Sequence, residues 1–298
     1  MLYNYIDIRY ITPYYSDERR LFMKKKFDFP EFLLSVIKCG GYFGWYYLIN
    51  IGAAIILYLA HPNEDPVALT AKYSLALTLL GNAVFILSVS VFYNNKSHYS
   101  SFAERMDIKP FNYKAIPYII SIAISSIFIV NIVINSAVAL ELVPESWIDM
   151  MEQNSDMIVS GSALMQLLCV GIIGPIAEEV LFRGLMLGGL SKTCNKWLAI
   201  FASAIVFGMV HGHPIGIIYA SCLGILLGWI YIKTGSLLSV ILFHIVYNLM
   251  SLYIPEMSPV VFLTITAASF VVFVICIVFI ARLPKPTPKN EKKDDDEV

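Results

Sequence analysis

Charge is what this sequence has least of. Asp, Glu, Lys and Arg make up 14% of its 298 residues, against roughly 25% in soluble domains. A chain that faces water on every side is thereby excluded. No stretch alternates apolar and polar residues in strands of ~10 residues, which excludes a transmembrane β-barrel. The net charge is −1, which by itself says nothing about partners; no nucleic acid is expected as one. The cysteines Cys39, Cys169, Cys194, Cys222 and Cys276 are scattered with no C-x-x-C pair. They read as small core residues, not as a disulfide framework or a redox pair. The H-E-x-x-H pattern of many zinc proteases is absent as well.

Apolar residues are abundant. They reach 58% of the chain, with a mean hydropathy of +0.69, and bunch into runs near the ~20 residues that carry a helix across ~30 Å of hydrocarbon. The predicted fold class is all-α: a polytopic membrane protein of about eight transmembrane helices. The spans fall at Phe43–Ala60 (with a tilted or interfacial entry from Phe32), Val67–Tyr93, Ile116–Leu140, Ile158–Leu190, Trp197–His211, Ile215–Ile232, Ser236–Tyr253 and Val260–Ala281.

Lys and Arg set the expected orientation. The connections 61–66, 141–157, 212–214 and 254–259 hold no Lys or Arg, and the first two are acidic. The alternate connections carry Lys96, Arg105, Lys109, Lys114, Lys192, Lys196 and Lys233. Both termini are therefore expected in the cytoplasm, with the protein in the cell membrane. The expected organisation is a cytoplasmic arm and interfacial entry over 1–42, three helices over 43–157 and a catalytic four-helix core over 158–253. A last helix over 260–281 and a disordered tail over 282–298 complete it. Met1 and Met23 are alternative starts.

Within the lipid-soluble runs lie a few ionisable residues. A charge at mid-bilayer costs about 2.5–3.5 kcal/mol on insertion scales, so such residues face a protein interior and serve a function. The fourth span reads Gly174-Pro175-Ile176-Ala177-Glu178-Glu179-Val180-Leu181-Phe182-Arg183-Gly184. Pro175 removes a backbone donor and bends the helix one turn before the acids. Glu179 and Arg183, at i and i+4 with the acid first, are placed to form an ion pair. Glu178 is left over, and one Arg cannot neutralise two carboxylates. The surplus charge calls for a proton, an imidazolium or a metal, the situation of a general base. On the fifth span Phe207 and His211 share a face. On the seventh, His244 and Asn248 do, as a candidate donor pair for an oxyanion. His213, in a turn before Pro214, reads as structural. At 1.5 Å per residue His244 lies ~12 Å and His211 ~21 Å from the Lys-bearing ends of their spans, so one shared site needs tilted helices or a deeper start.

Together these segments resemble the CAAX-endopeptidase and bacteriocin-processing (CPBP, Abi) family of intramembrane proteases. Its signatures E-E-x-x-x-R, F-x-x-x-H and H-x-x-x-N/D are matched in order by Glu178 to Arg183, Phe207 to His211 and His244 to Asn248. The resemblance covers roughly Gly174–Asn248. It implies that Glu178 and His211 activate a water and that His244 and Asn248 stabilise the oxyanion. Glu179, Arg183 and Phe207 support the site, and the cavity opens to the cytoplasm. It leaves both a metal-dependent and a metal-free glutamate mechanism open. If Zn is the cofactor, Glu178, His211 and His244 are its candidate ligands. The expected substrate is a lipidated C-terminus or a membrane-associated precursor peptide. Two rivals stand beside this reading: a peptide-binding immunity or scaffold protein that does not cut, and a proton-coupled transporter. Sequence does not specify the oligomeric state.

Overall fold

The computed structural model describes residues 29–94, 101–159, 161–255 and 257–284. The basic arm, both candidate start residues and the tail beyond 284 lie outside them. Every element of regular structure among the described residues is helical: α1 (Phe29–Ala60), α2 (Pro66–Asn94), the short α3 (Phe102–Arg105), α4 (Ile116–Ala139), α5 (Glu145–Val159), α6 (Ala163–Leu190), α7 (Lys196–Met209), α8 (Pro214–Thr234), α9 (Leu237–Leu252) and α10 (Pro259–Arg282). Six of these are long and apolar enough to span a bilayer. α7 and α9 are apolar but shorter. The chain is an integral membrane protein of helical type.

Packing centres on α6, which touches α1, α2, α7, α8 and α9. α4 packs on α9 and α10, and α7 lies along α8. That last contact is close because glycines face it. A Cβ on Gly208 would strike Ser221 and the carbonyl of Ile217, and one on Gly224 would meet the backbone of Ala204. Gly228 likewise faces Ile200 and Leu187, and Gly184 faces Met106. These glycines thus serve packing within the chain. Two of the turns depend on left-handed backbone. Gly212 (φ 76°) turns α7 toward α8, and Gly235 (φ 65°) ends α8 by donating to the Tyr231 carbonyl.

α6 departs from a regular helix. Gln166–Ile173 and Val180–Leu187 are π-helical, flanking an α-helical Gly174–Glu179. The Gly174 N–H reaches back five residues to Cys169, and the Gly188 N–H to Arg183. Such widened turns are rare and favour functional sites. Neighbours take the carbonyls they turn outward: Ser203 donates to Phe182 at 2.9 Å and Arg105 to Gly184 at 3.3 Å.

One expected boundary shifts. Ile158 and Val159 do not open the fourth span; they close α5, a helix in what reads as an acidic connection. α5 rests on α2 and α8, and Gln166 fastens its end by donating to the carbonyls of Val159 and Gly161 at 3.1 and 2.8 Å. Ser162 then caps α6 by accepting from Met165.

Candidate active site

Pro175 lies where the widened hydrogen-bond register would direct its missing N–H five residues back, to Val170. Asn248 of α9 supplies the substitute, donating Nδ2–H to the Val170 carbonyl at 2.9 Å. A carbonyl left open inside a membrane protein must find such a partner. The sequence signal for this link was the proline. Its partner on another span was not legible.

One turn on, the charges gather. Arg183 donates Nη1–H to Glu179 Oε1 at 2.8 Å and Nη2–H to the Gly224 carbonyl at 3.2 Å. His244 donates Nδ1–H to the same Glu179 oxygen, also at 2.8 Å. Its Nε2 stands 3.6 Å from Glu178 Oε2. The imidazole therefore lies between both carboxylates. Glu179 is closed off at 0% side-chain exposure, whereas Glu178 is 28% exposed. The ion pair expected from spacing is present, and the leftover acid faces open space.

Phe207 ties the set together. Its ring carries the Arg183 guanidinium at 4.4 Å from the centroid, a cation–π contact in a desolvated setting. The same ring meets His211 at 5.0 Å and His244 at 5.8 Å, both edge-on. The depth mismatch between the histidines is thereby resolved. α7 ends at Met209, and His211 lies in the following turn, where its ring folds back on Phe207. His211 Nδ1 lies 3.0 Å from the Phe207 carbonyl. A carbonyl only accepts, so Nδ1 carries a proton there and Nε2 is the ring nitrogen left for another partner. Among the described residues no ion pair joins His211 to Glu178. His213 caps α8: its Nδ1 accepts from the Gly216 N–H at 3.1 Å.

A cavity of about 590 Å³ joins these groups, with Glu178, Phe207, His211, His244 and Asn248 on its wall. It continues between α1, α2 and α5 past Tyr46, Asn50, Ser74, Thr78, Asn82 and Asn154. Asn50 and Asn82 were polar interruptions in apolar runs. Asn82 joins the helices by accepting from the Tyr46 hydroxyl at 2.9 Å. The exposed residues on its wall are Tyr47 of α1, Thr78 of α2, Met157 of α5 and Ser251 of α9.

Zinc fits poorly here. Among the described residues no three His, Cys, Asp or Glu side chains are gathered as metal ligands.

Residues 160–250 match the family model described as Type II CAAX prenyl endopeptidase Rce1-like. This segment is similar to the Rce1-like family. It contains all three motifs, so the resemblance read from them is borne out there. Among curated proteins the chain is 27% identical over 96 residues to YdiL of Bacillus subtilis (strain 168), named as a candidate membrane peptidase. It is 30% identical over 96 residues to the UPF0177 protein YxdF of Lactococcus lactis subsp. lactis (strain IL1403). Each match covers 32% of this chain, and 39% and 52% of the respective relative. The chain thus spans about half the length of these relatives or less. No solved structure matches it.

Proposed function

We propose that this protein is a CAAX-type intramembrane endopeptidase that hydrolyses a peptide bond with a water activated by Glu178 and His211. One observation carries the reading. Of two adjacent carboxylates in a buried charge cluster, Glu178 alone opens onto a cavity, while Glu179 is held by Arg183 and His244. With His244 protonated, two acids and two bases balance to zero. That is the favourable condition for charges out of water.

Glu178 takes a proton from the water as its oxygen attacks the substrate carbonyl, and the His211 Nε2 lone pair orients that water. Glu178 thereby loses its charge. The His244 Nε2–H, which faced it at 3.6 Å, turns to the oxyanion that forms. Asn248 keeps one amide hydrogen for the same task, the other being held by Val170. Collapse of the intermediate breaks the C–N bond, and Glu178 passes its proton to the leaving amine. The substrate is a lipidated C-terminus or a membrane-associated precursor peptide, and both termini of the enzyme lie in the cytoplasm.

The test is incubation of wild type and Glu178→Gln with such peptides in detergent, read by mass spectrometry. The expected result is cleavage by wild type and none by Glu178→Gln, with equal yield of folded protein. Binding of a peptide by both without cleavage by either would instead establish a non-proteolytic binding protein.

A further inference from the structure

Four tyrosines stand on the cavity wall: Tyr46, Tyr47, Tyr219 and Tyr247. A phenol inside a protein ordinarily gives its O–H to a protein acceptor. Tyr46 does so to Asn82 and Tyr231 to Asp107, and the Tyr42 and Tyr93 hydroxyls bond each other at 2.6 Å. Tyr47 is exposed. Tyr219 and Tyr247 are not, yet neither hydroxyl has a hydrogen-bond partner among the described residues. Glu179 Oε2 is the one side-chain polar atom there that is both sealed and unpartnered. The two hydroxyls are therefore open, and they open on the cavity that their rings line. Their partner has to come from what enters it.

Tyr247 is the better placed of the two. It is only 8% exposed, and its ring lies parallel to that of the fully buried Phe243 at 6.3 Å. On the mostly apolar α9 it stands three residues after His244 and one before Asn248. With Ser251 these residues make an i, i+3, i+4, i+7 stripe, and all four line the cavity. The Tyr247 hydroxyl is within electrostatic range of Tyr219, and Tyr219 of Glu178. The Tyr219 ring meets His211 edge-on at 6.1 Å. The phenol of Tyr247 thus belongs to the same ring of groups as the carboxylate and both imidazoles.

Hydrolysis asks for two kinds of partner. The attacking water needs acceptors, and Glu178 with the remaining ring nitrogen of His211 matches its two O–H bonds. The carbonyl oxygen gains charge and needs donors. Of those already named, His244 must first turn from Glu178, and Asn248 has one amide hydrogen in use. A phenol that holds its proton and has no protein bond to break is ready without that cost. Donors fixed in advance are the ones that stabilise an oxyanion best. We infer that Tyr247 is a further catalytic residue, its hydroxyl donating to the oxyanion beside His244 and Asn248. The inference rests on the peptidase reading of the site. The phenol keeps its proton throughout, and its hydrogen bond is released when the C–N bond breaks and the oxygen returns to a carbonyl.

Tyr247→Phe removes the hydroxyl and keeps the ring. It is compared with wild type and Tyr219→Phe on the full chain in detergent, using synthetic farnesylated C-terminal peptides and membrane-precursor peptides. For a peptide that wild type cuts, Tyr247→Phe is expected to lower kcat about 10²-fold, the loss typical of one oxyanion donor. KM and the unfolding midpoint should stay as in wild type, because the hydroxyl has no protein partner to lose. A phosphinate peptide of the same sequence, which mimics the tetrahedral intermediate, should bind Tyr247→Phe more weakly by the same factor. Wild-type kcat in Tyr247→Phe overturns the inference and leaves the peptidase reading standing. So does a loss confined to KM, a lowered unfolding midpoint or failure to fold, each of which makes the hydroxyl a binding or packing group, or a larger loss of kcat in Tyr219→Phe. If wild type cuts none of the peptides, the peptidase reading falls and this role for Tyr247 falls with it.

Discussion

At the scale of single residues, the site depends on groups whose partners sit on other helices. Asn248 is the clearest case, because its bond to Val170 replaces one that Pro175 cannot make. Leaving a buried carbonyl open costs about 1–3 kcal/mol, so Asn248→Ala should lower the unfolding midpoint. On a Pro175→Ala background, where a backbone N–H returns, the same change should cost markedly less. A double-mutant cycle by thermal unfolding in detergent measures this coupling, and additive effects would refute it. Arg183→Ala strands Glu179 beside His244. Breaking a buried pair costs about 3–5 kcal/mol, so both cleavage and the yield of folded protein should fall, unlike in Glu178→Gln. The separate surroundings of Glu178 and Glu179 were legible because i, i+4 spacing assigns Arg183 to one acid only. The position of His244 between both acids was not. Contacts across helices leave no periodicity in either segment.

At the scale of elements, the apolar helices were legible from length and hydropathy, and α5 and the π-helical turns were not. α5 carries four acids in a connection that composition marks as solvent-facing, and only its packing on α2 and α8 makes it part of the cavity wall. A shift from four-residue to five-residue hydrogen bonding changes backbone register while barely altering the apolar pattern, so Val180–Leu187 reads as an ordinary helix. The α7–α8 turn yields a pH prediction. His213 caps α8 through an Nδ1 that must be unprotonated to accept from Gly216. Burial, and then the neighbouring His211, hold its pKa below the ordinary 6.5. The folded chain thus binds this proton less readily than the unfolded one. The contribution of the cap is complete above about pH 6.5 and is lost as pH falls below it. Thermal unfolding of wild type should show this loss on acidification, and His213→Asn, a cap that does not titrate there, should show less of it.

At the scale of the whole molecule, two helices fail to match the membrane they sit in. α7 has 14 residues and α9 has 16, or ~21 and ~24 Å of helix against ~30 Å of hydrocarbon. A bilayer meets such shortfall by thinning. The headgroups and their hydration are thus drawn inward beside α9, which carries His244, and beside the turn after α7, which holds His211. Lipids with longer acyl chains should resist that dimple. Turnover in proteoliposomes should therefore decline as chain length rises, while unfolding temperature changes little, and a rate indifferent to lipid length would refute it. The bilayer itself would then act as a reagent: by its own deformation it ferries the co-substrate of hydrolysis to a place oil would otherwise keep dry.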